Sequence, residues 1–159
     1  MKRPGTFSTI IIAIIVAFNA LVWYRILLEK PNALPEFYFL DVGQGDSTLI
    51  VFPGNVKLLT DAGPDQEVAR RLEEILPPSD RYIDLAIITH PQLDHYGGFN
   101  HLLGRYDFGA FVISGRSIES SEWNALIAEI ERRNIPLITL GAGDRISYGD
   151  NKIAILSPD

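Results

Sequence analysis

"AIITHPQLDHYGG", residues 86–98, holds two of the chain's three histidines, five positions apart, with an aspartate directly before the second. The segment that leads into it, "YIDLAIIT" (82–89), has the near-continuous hydrophobicity of a strand buried on both faces. A strand ending at His90 places that imidazole at the lip of a sheet, where loops carry ligands and catalytic groups. A tight turn through Pro91 then lets His90, Asp94 and His95 surround one centre. Imidazole nitrogen and carboxylate oxygen suit Zn²⁺ and similar borderline divalent ions. The spacing alone leaves a second reading open, in which Asp94 caps the following helix and both histidines are polar loop residues.

Outward from this stretch, "EFYFLDV" (36–42), "STLIVFP" (47–53) and "VKLLTDA" (56–62) are apolar and β-branched, separated by the turn formers "GQGD" and "PGN". They predict an antiparallel meander. "DQEVARRLEEIL" puts Val68, Leu72, Ile75 and Leu76 on one helical face, with Asp65 as cap and Pro77 and Pro78 as the stop. A second amphipathic helix follows the strand "GAFVISG", with Ser120 or Ser121 as cap and Trp123, Leu126, Ile127 and Ile130 turned inward. "IPLITL", "DRISYG" and "KIAILSP" read as closing strands, so the expected class is mixed α/β with the sheet inside.

The N-terminus is of different character. After Lys2 and Arg3 no charge appears until Arg25, and "FSTIIIAIIVAFNALVWY" is almost wholly apolar. That length and the interfacial Trp23 and Tyr24 predict a single membrane-spanning helix over 7–28, in contact with lipid. Phe18 at the −3 position of a cut before Leu21 disfavours signal cleavage. The short basic tail predicts the N-terminus inside and the following domain on the extracytoplasmic side. The expected organisation is an anchor with its flanks (1–30), a linker (31–35) and one domain (36–159). The chain has 159 residues and 47% are hydrophobic, enough for one core. It has no cysteine, which excludes disulfides and thiolate metal sites. Residues 1–30 carry four basic and one acidic residue, which leaves ten basic and nineteen acidic for 31–159, a net charge of −9. That balance argues against a broad cationic surface for nucleic acid, although a local metal centre can still engage a phosphate.

"HPQLDHYGG" resembles the H-x-H-x-D-H signature of the metallo-β-lactamase superfamily. Taken in order, "FLDVGQGDSTLIV", "LLTDAG" and "AIITHPQLDHYGG" resemble the metallo-β-lactamase-like domain of the ComEC competence proteins over about residues 36–157. The resemblance implies an αββα sandwich and metal-assisted hydrolysis with one or two divalent ions, Zn or Mn. It assigns His90 to the first metal position, Asp94 and His95 to the second, and to Asp94 a catalytic part in orienting or bridging. Asp61 is implied as support for the ligand loop, and Asp46 lies in a glycine-flanked turn near the site. Asp41 is read as a partner of backbone amides. Gln92 stands where the signature has its second histidine, and its amide oxygen is a weak ligand that suits Mn²⁺ or Mg²⁺ better than Zn²⁺. His101, on the helix after the glycines, is read as a surface residue.

The resemblance further implies that only the first half of the sandwich is present, since the later aspartate and histidine ligands have no counterpart before "ILSPD". Phosphodiester cleavage, with DNA as substrate, is the activity it suggests, and the missing half or other competence proteins are the partners it suggests. The alternative is a catalytically silent domain that keeps the first half of the fold for binding or assembly.

Overall fold

The computed structural model describes residues 6–28 and 34–157. Lys2, Arg3, Lys30 and residues 31–33 of the expected linker lie outside them. The chain divides into two units, residues 1–33 and 34–159.

The first unit is one helix, α1 (Thr6–Leu28), whose apolar side chains are exposed rather than packed, Ile10, Ile12, Ile14, Val16 and Phe18 among them. Asn19 turns to the helix's own backbone, its Nδ2 donating to the Ile15 carbonyl at 3.1 Å. Among the described residues no helix is long and apolar enough to cross a membrane. The expected span over 7–28 is thus present as a continuous helix, Thr6–Leu28, without meeting that length and apolarity.

The second unit opens with the expected meander. Strands β1 (Glu36–Phe39), β2 (Thr48–Phe52) and β3 (Val56–Thr60) pair antiparallel, in the registers Tyr38↔Leu49 and Leu49↔Leu59. The β2–β3 turn is tight because Gly54 and Asn55 both take left-handed backbone conformations, with φ of 84° and 63°. From β3 on, strands alternate with helices and the pairing becomes parallel, since a helical crossover returns the chain in the same direction. The order is α2 (Glu67–Ile75), β4 (Tyr82–Ile88), α3 (Leu93–Leu102), β5 (Asp107–Ile113), α4 (Ser121–Arg132) and β6 (Leu137–Thr139). The six strands form one sheet in the sequence order β1 to β6, with β3, β4, β5 and β6 mutually parallel.

The core lies between the three helices and one face of this sheet. Val68 and Leu72 of α2, Phe99 and Leu102 of α3, and Leu126 and Ile130 of α4 are fully buried with Leu49, Leu59, Ala86 and Phe111 of the strands. Ser120 caps α4 as expected, its Oγ accepting from Trp123 N at 3.1 Å. At α2 the expectation shifts by one residue. Gln66 is the cap, and the Asp65 carboxylate accepts from Glu67 N at 2.8 Å in a turn that precedes it. On the other face, Phe52, Leu58 and Val112 are buried, and a two-stranded antiparallel sheet, β7 (Arg145–Tyr148) and β8 (Asn151–Ala154), brings Ile146, Tyr148 and Ile153 near Phe52 and Leu58. The Tyr148 ring meets Phe52 edge-on at 6.2 Å.

Candidate metal centre

Three segments meet at the C-terminal ends of β3 and β4. Asp61 leaves β3, Thr89 and His90 leave β4, and Asp94 and His95 open α3. The parallel ladder continues into the site, where Asp61 N donates to the Ile87 carbonyl at 2.8 Å. Asp61 is 3% exposed, with φ of 56°, which residues other than glycine, asparagine and aspartate rarely adopt. Its carboxylate is fully engaged. Oδ1 accepts from Thr89 N at 2.9 Å, while Oδ2 accepts from Thr89 Oγ1 at 2.6 Å and from His95 Nδ1 at 2.9 Å. His95 is buried and is thereby held with Nε2 facing Asp94, whose Oδ2 is 4.0 Å away. A carboxylate behind a ligating imidazole is the arrangement that fixes ring orientation and raises ligand basicity. Asp61 thus bonds the residue before His90 and the ring of His95.

The backbone around these groups is close-packed by glycine. A Cβ on Gly98 would lie 2.0 Å from the Ala62 carbonyl oxygen, and one on Gly45 would lie 1.9 Å from that of Asp94. Loop 43–46 thus rests against the start of α3, and Gly63 N donates to the Asp46 carbonyl at 3.0 Å. Asp46 enters through that carbonyl, its side chain being exposed. Asp41 stands apart from the histidines, accepting from Gly43 N at 3.3 Å and pairing with Arg71 Nη2 at 3.2 Å. His101 is exposed on α3, as the sequence suggested.

The His90 and His95 rings meet with centroids 3.8 Å apart, tilted by 49° to each other. Gln92 is the N-cap of α3, and its side-chain amide lies 3.0 Å from His90 Nε2, so it meets the first histidine rather than Asp94. His90, Asp94 and His95 are neighbours, yet among the described residues no three histidine, aspartate or glutamate side chains are gathered closely enough to hold an ion. The donor chemistry, two imidazoles and a carboxylate with a buried carboxylate behind them, fits a borderline divalent ion. Two contributors escaped the sequence reading. Thr89 lies within the opening motif and bonds both Asp61 and His90. Ser47, 4% exposed, donates its hydroxyl to the Asp61 carbonyl at 3.0 Å and ties β2 to the site. Beside Thr89 opens a cavity of about 390 Å³ with mostly apolar walls, including Ile87, Val112, Leu140 and Ile155.

Residues 40–145 match the family model described as the metallo-beta-lactamase superfamily. No curated protein matches the chain. Among solved structures it is similar to a protein of Cronobacter sakazakii (Enterobacter sakazakii) described as a metallo-β-lactamase with a HARLDQ motif, at 17% identity and a TM-score of 0.52. That likeness covers 83% of this chain and 52% of the other, so the chain spans about half the length of the structure it matches. The family model covers well over half of the chain, and the chain belongs to the metallo-β-lactamase superfamily.

Proposed function

We propose that this chain carries the metal-binding part of a membrane-attached metallo-hydrolase acting on phosphodiesters, as in ComEC-type DNA uptake proteins. The observation that carries the reading is the bond from His95 Nδ1 to the buried Asp61, which leaves Nε2 turned to Asp94. Asp94 and His95 would hold one divalent ion, Zn or Mn, and His90, with Gln92 as a weak companion, would hold a second. A bound ion supplies the Lewis acidity that makes water a nucleophile at neutral pH and offsets charge on the attacked centre. In this reading Asp94 orients the attacking water, Asp61 and Thr89 keep the rings in place, and the glycine contacts at 45 and 98 fix the distance between segments. Substrate class rests on the resemblance, because the fold serves many substrates. Support for membrane attachment comes from α1, whose exposed apolar side chains have no partner in a watery setting short of lipid or another helix. An extracytoplasmic domain and competence proteins as partners belong to the same proposal.

A second reading, a silent domain used for binding or assembly, draws on the side-chain amide of Gln92 at His90 and on the ungathered donors. Equilibrium dialysis of the full chain in detergent against Zn²⁺ and Mn²⁺, alongside hydrolysis of a chromogenic phosphodiester, separates the two. The hydrolase reading expects metal uptake that Asp94→Ala and His95→Ala each reduce by about 10-fold or more, as loss of a ligand does. Uptake indifferent to both substitutions would favour the silent domain.

A further inference from the structure

We infer that Thr89 is a positioning residue that sets the tautomer of His90, so that the single carboxylate of Asp61 determines the proton positions of both histidines. Asp61 Oδ2 lies 2.6 Å from Thr89 Oγ1, and an ionised carboxylate only accepts, so the one hydroxyl hydrogen of Thr89 is committed to it. Towards His90 Nδ1, 2.9 Å away, the same oxygen can then only accept. His90 in its neutral form therefore carries its hydrogen on Nδ1 and presents a bare Nε2. His95 reaches the same state by its direct bond to Oδ2, with Nδ1 as donor at 2.9 Å. Both rings thus turn an unprotonated Nε2 away from Asp61, one by a direct contact and one through a hydroxyl relay. A consequence falls on Gln92. Its Oε1 stands 3.0 Å from His90 Nε2, where two lone pairs would face each other, so a half-turn of the amide brings its NH₂ there instead. In the metal-free chain Gln92 then covers the nitrogen that a metal would need.

The tautomer assignment is independent of any metal, whereas its effect on metal affinity rests on the proposed function. The test uses the full chain in detergent micelles, stripped of metal and labelled with ¹⁵N in the histidine rings. Long-range ¹H–¹⁵N correlations read the tautomer of each ring, and His101→Gln identifies the signals of the exposed histidine. The expected result is Nδ1–H for both His90 and His95. Thr89→Val keeps the backbone N–H that donates to Asp61 Oδ1 and lacks only the relay, so His90 alone should shift towards Nε2–H, and Thr89→Ser should restore it. Zn²⁺ titration of the same samples should show affinity about 10-fold lower in Thr89→Val and recovered in Thr89→Ser. Nε2–H at His90 in the unsubstituted chain, or no change in Thr89→Val, would overturn the inference. Tautomers as expected with no Zn²⁺ uptake in any sample would uphold the relay and overturn the metal reading instead.

Discussion

Asp61 joins an unfavourable backbone to an indispensable side chain. Its φ of 56° costs an ordinary L-residue about 1 kcal/mol or more, and the carboxylate's bonds to Thr89 and His95 hold the residue there. Removing the carboxylate should therefore separate two effects. Asp61→Ala and Asp61→Gly both strip Thr89 and His95 of their acceptor, and both should lower Zn²⁺ affinity alike. Asp61→Gly, free of the backbone penalty, should melt at higher temperature than Asp61→Ala by an amount equivalent to about 1 kcal/mol, measured by calorimetry. Equal melting would mean that the backbone angle carries no strain. Lys57 offers a second residue-scale test. It is 2% exposed, and its Nζ lies 3.1 Å from Asp80 Oδ2 and 3.1 Å from the Asn55 carbonyl. Burial pushes the Asp80 carboxyl up, but hydrogen bonds from Asn55 and Lys57, with the ammonium charge, outweigh it and hold the pKa below its usual value. A folded pKa below the unfolded one adds stability that is present above the unfolded pKa, about 4, and fades as pH falls through the folded value. Thermal melts of the full chain should decline across that acidic window, and Lys57→Met should flatten the decline while lowering stability at neutral pH.

Among the elements, α3 shows how much of the site could be read from residue order and how much could not. The strand "YIDLAIIT", the helix faces of α2 and α4 and the meander of β1 to β3 follow from hydrophobic period and turn chemistry, and each lies where expected to within a few residues. β1 ends early, at Phe39, although Leu40 N still donates to the Ser47 carbonyl, because the chain then bends into the glycine loop. His90 and His95 as neighbours were legible from motif spacing, and Asp61 behind them only through the family resemblance. Thr89 was not, because its role depends on the parallel register of β3 with β4, a contact between distant residues with no local signature. Nor was the packing reason for Gly98, which becomes visible only once α3 lies against residues 62–65. Gly98→Ala would drive a methyl to 2.0 Å from the Ala62 oxygen, a contact that backbone cannot yield cheaply, and should destabilise the domain by about 1–3 kcal/mol. The same substitution at Gly104, with no atom nearer than 3.9 Å, is the control and should be close to neutral. Denaturant midpoints of the two variants give the comparison.

For the whole molecule, the two units make separate demands. The exposed aliphatic surface of α1 predicts that the full chain stays in the membrane pellet after carbonate washing, and that Ile12→Lys with Ile15→Lys releases it, since each lysine at mid-helix costs about 2.5–3.5 kcal/mol of insertion energy. A full chain recovered in the wash supernatant would assign α1 to helix–helix contact instead. The second unit has a feature whose consequence is kinetic. Its first three strands are joined by short local connections, but β3 and β4 pair parallel, as in Thr60↔Ile87, across the whole of α2. Loop-closure entropy makes such a pairing slower than a hairpin, so the meander can form while Asp61 and Thr89 are still far apart. The orientation of both histidines is then acquired late on the folding route. An ion present in the refolding buffer meets only scattered side chains during the early steps, so it cannot serve as a template for this domain. If the proposed ion binds, its influence would fall on the reverse reaction, lengthening the lifetime of the native state while leaving the rate of reaching it unchanged.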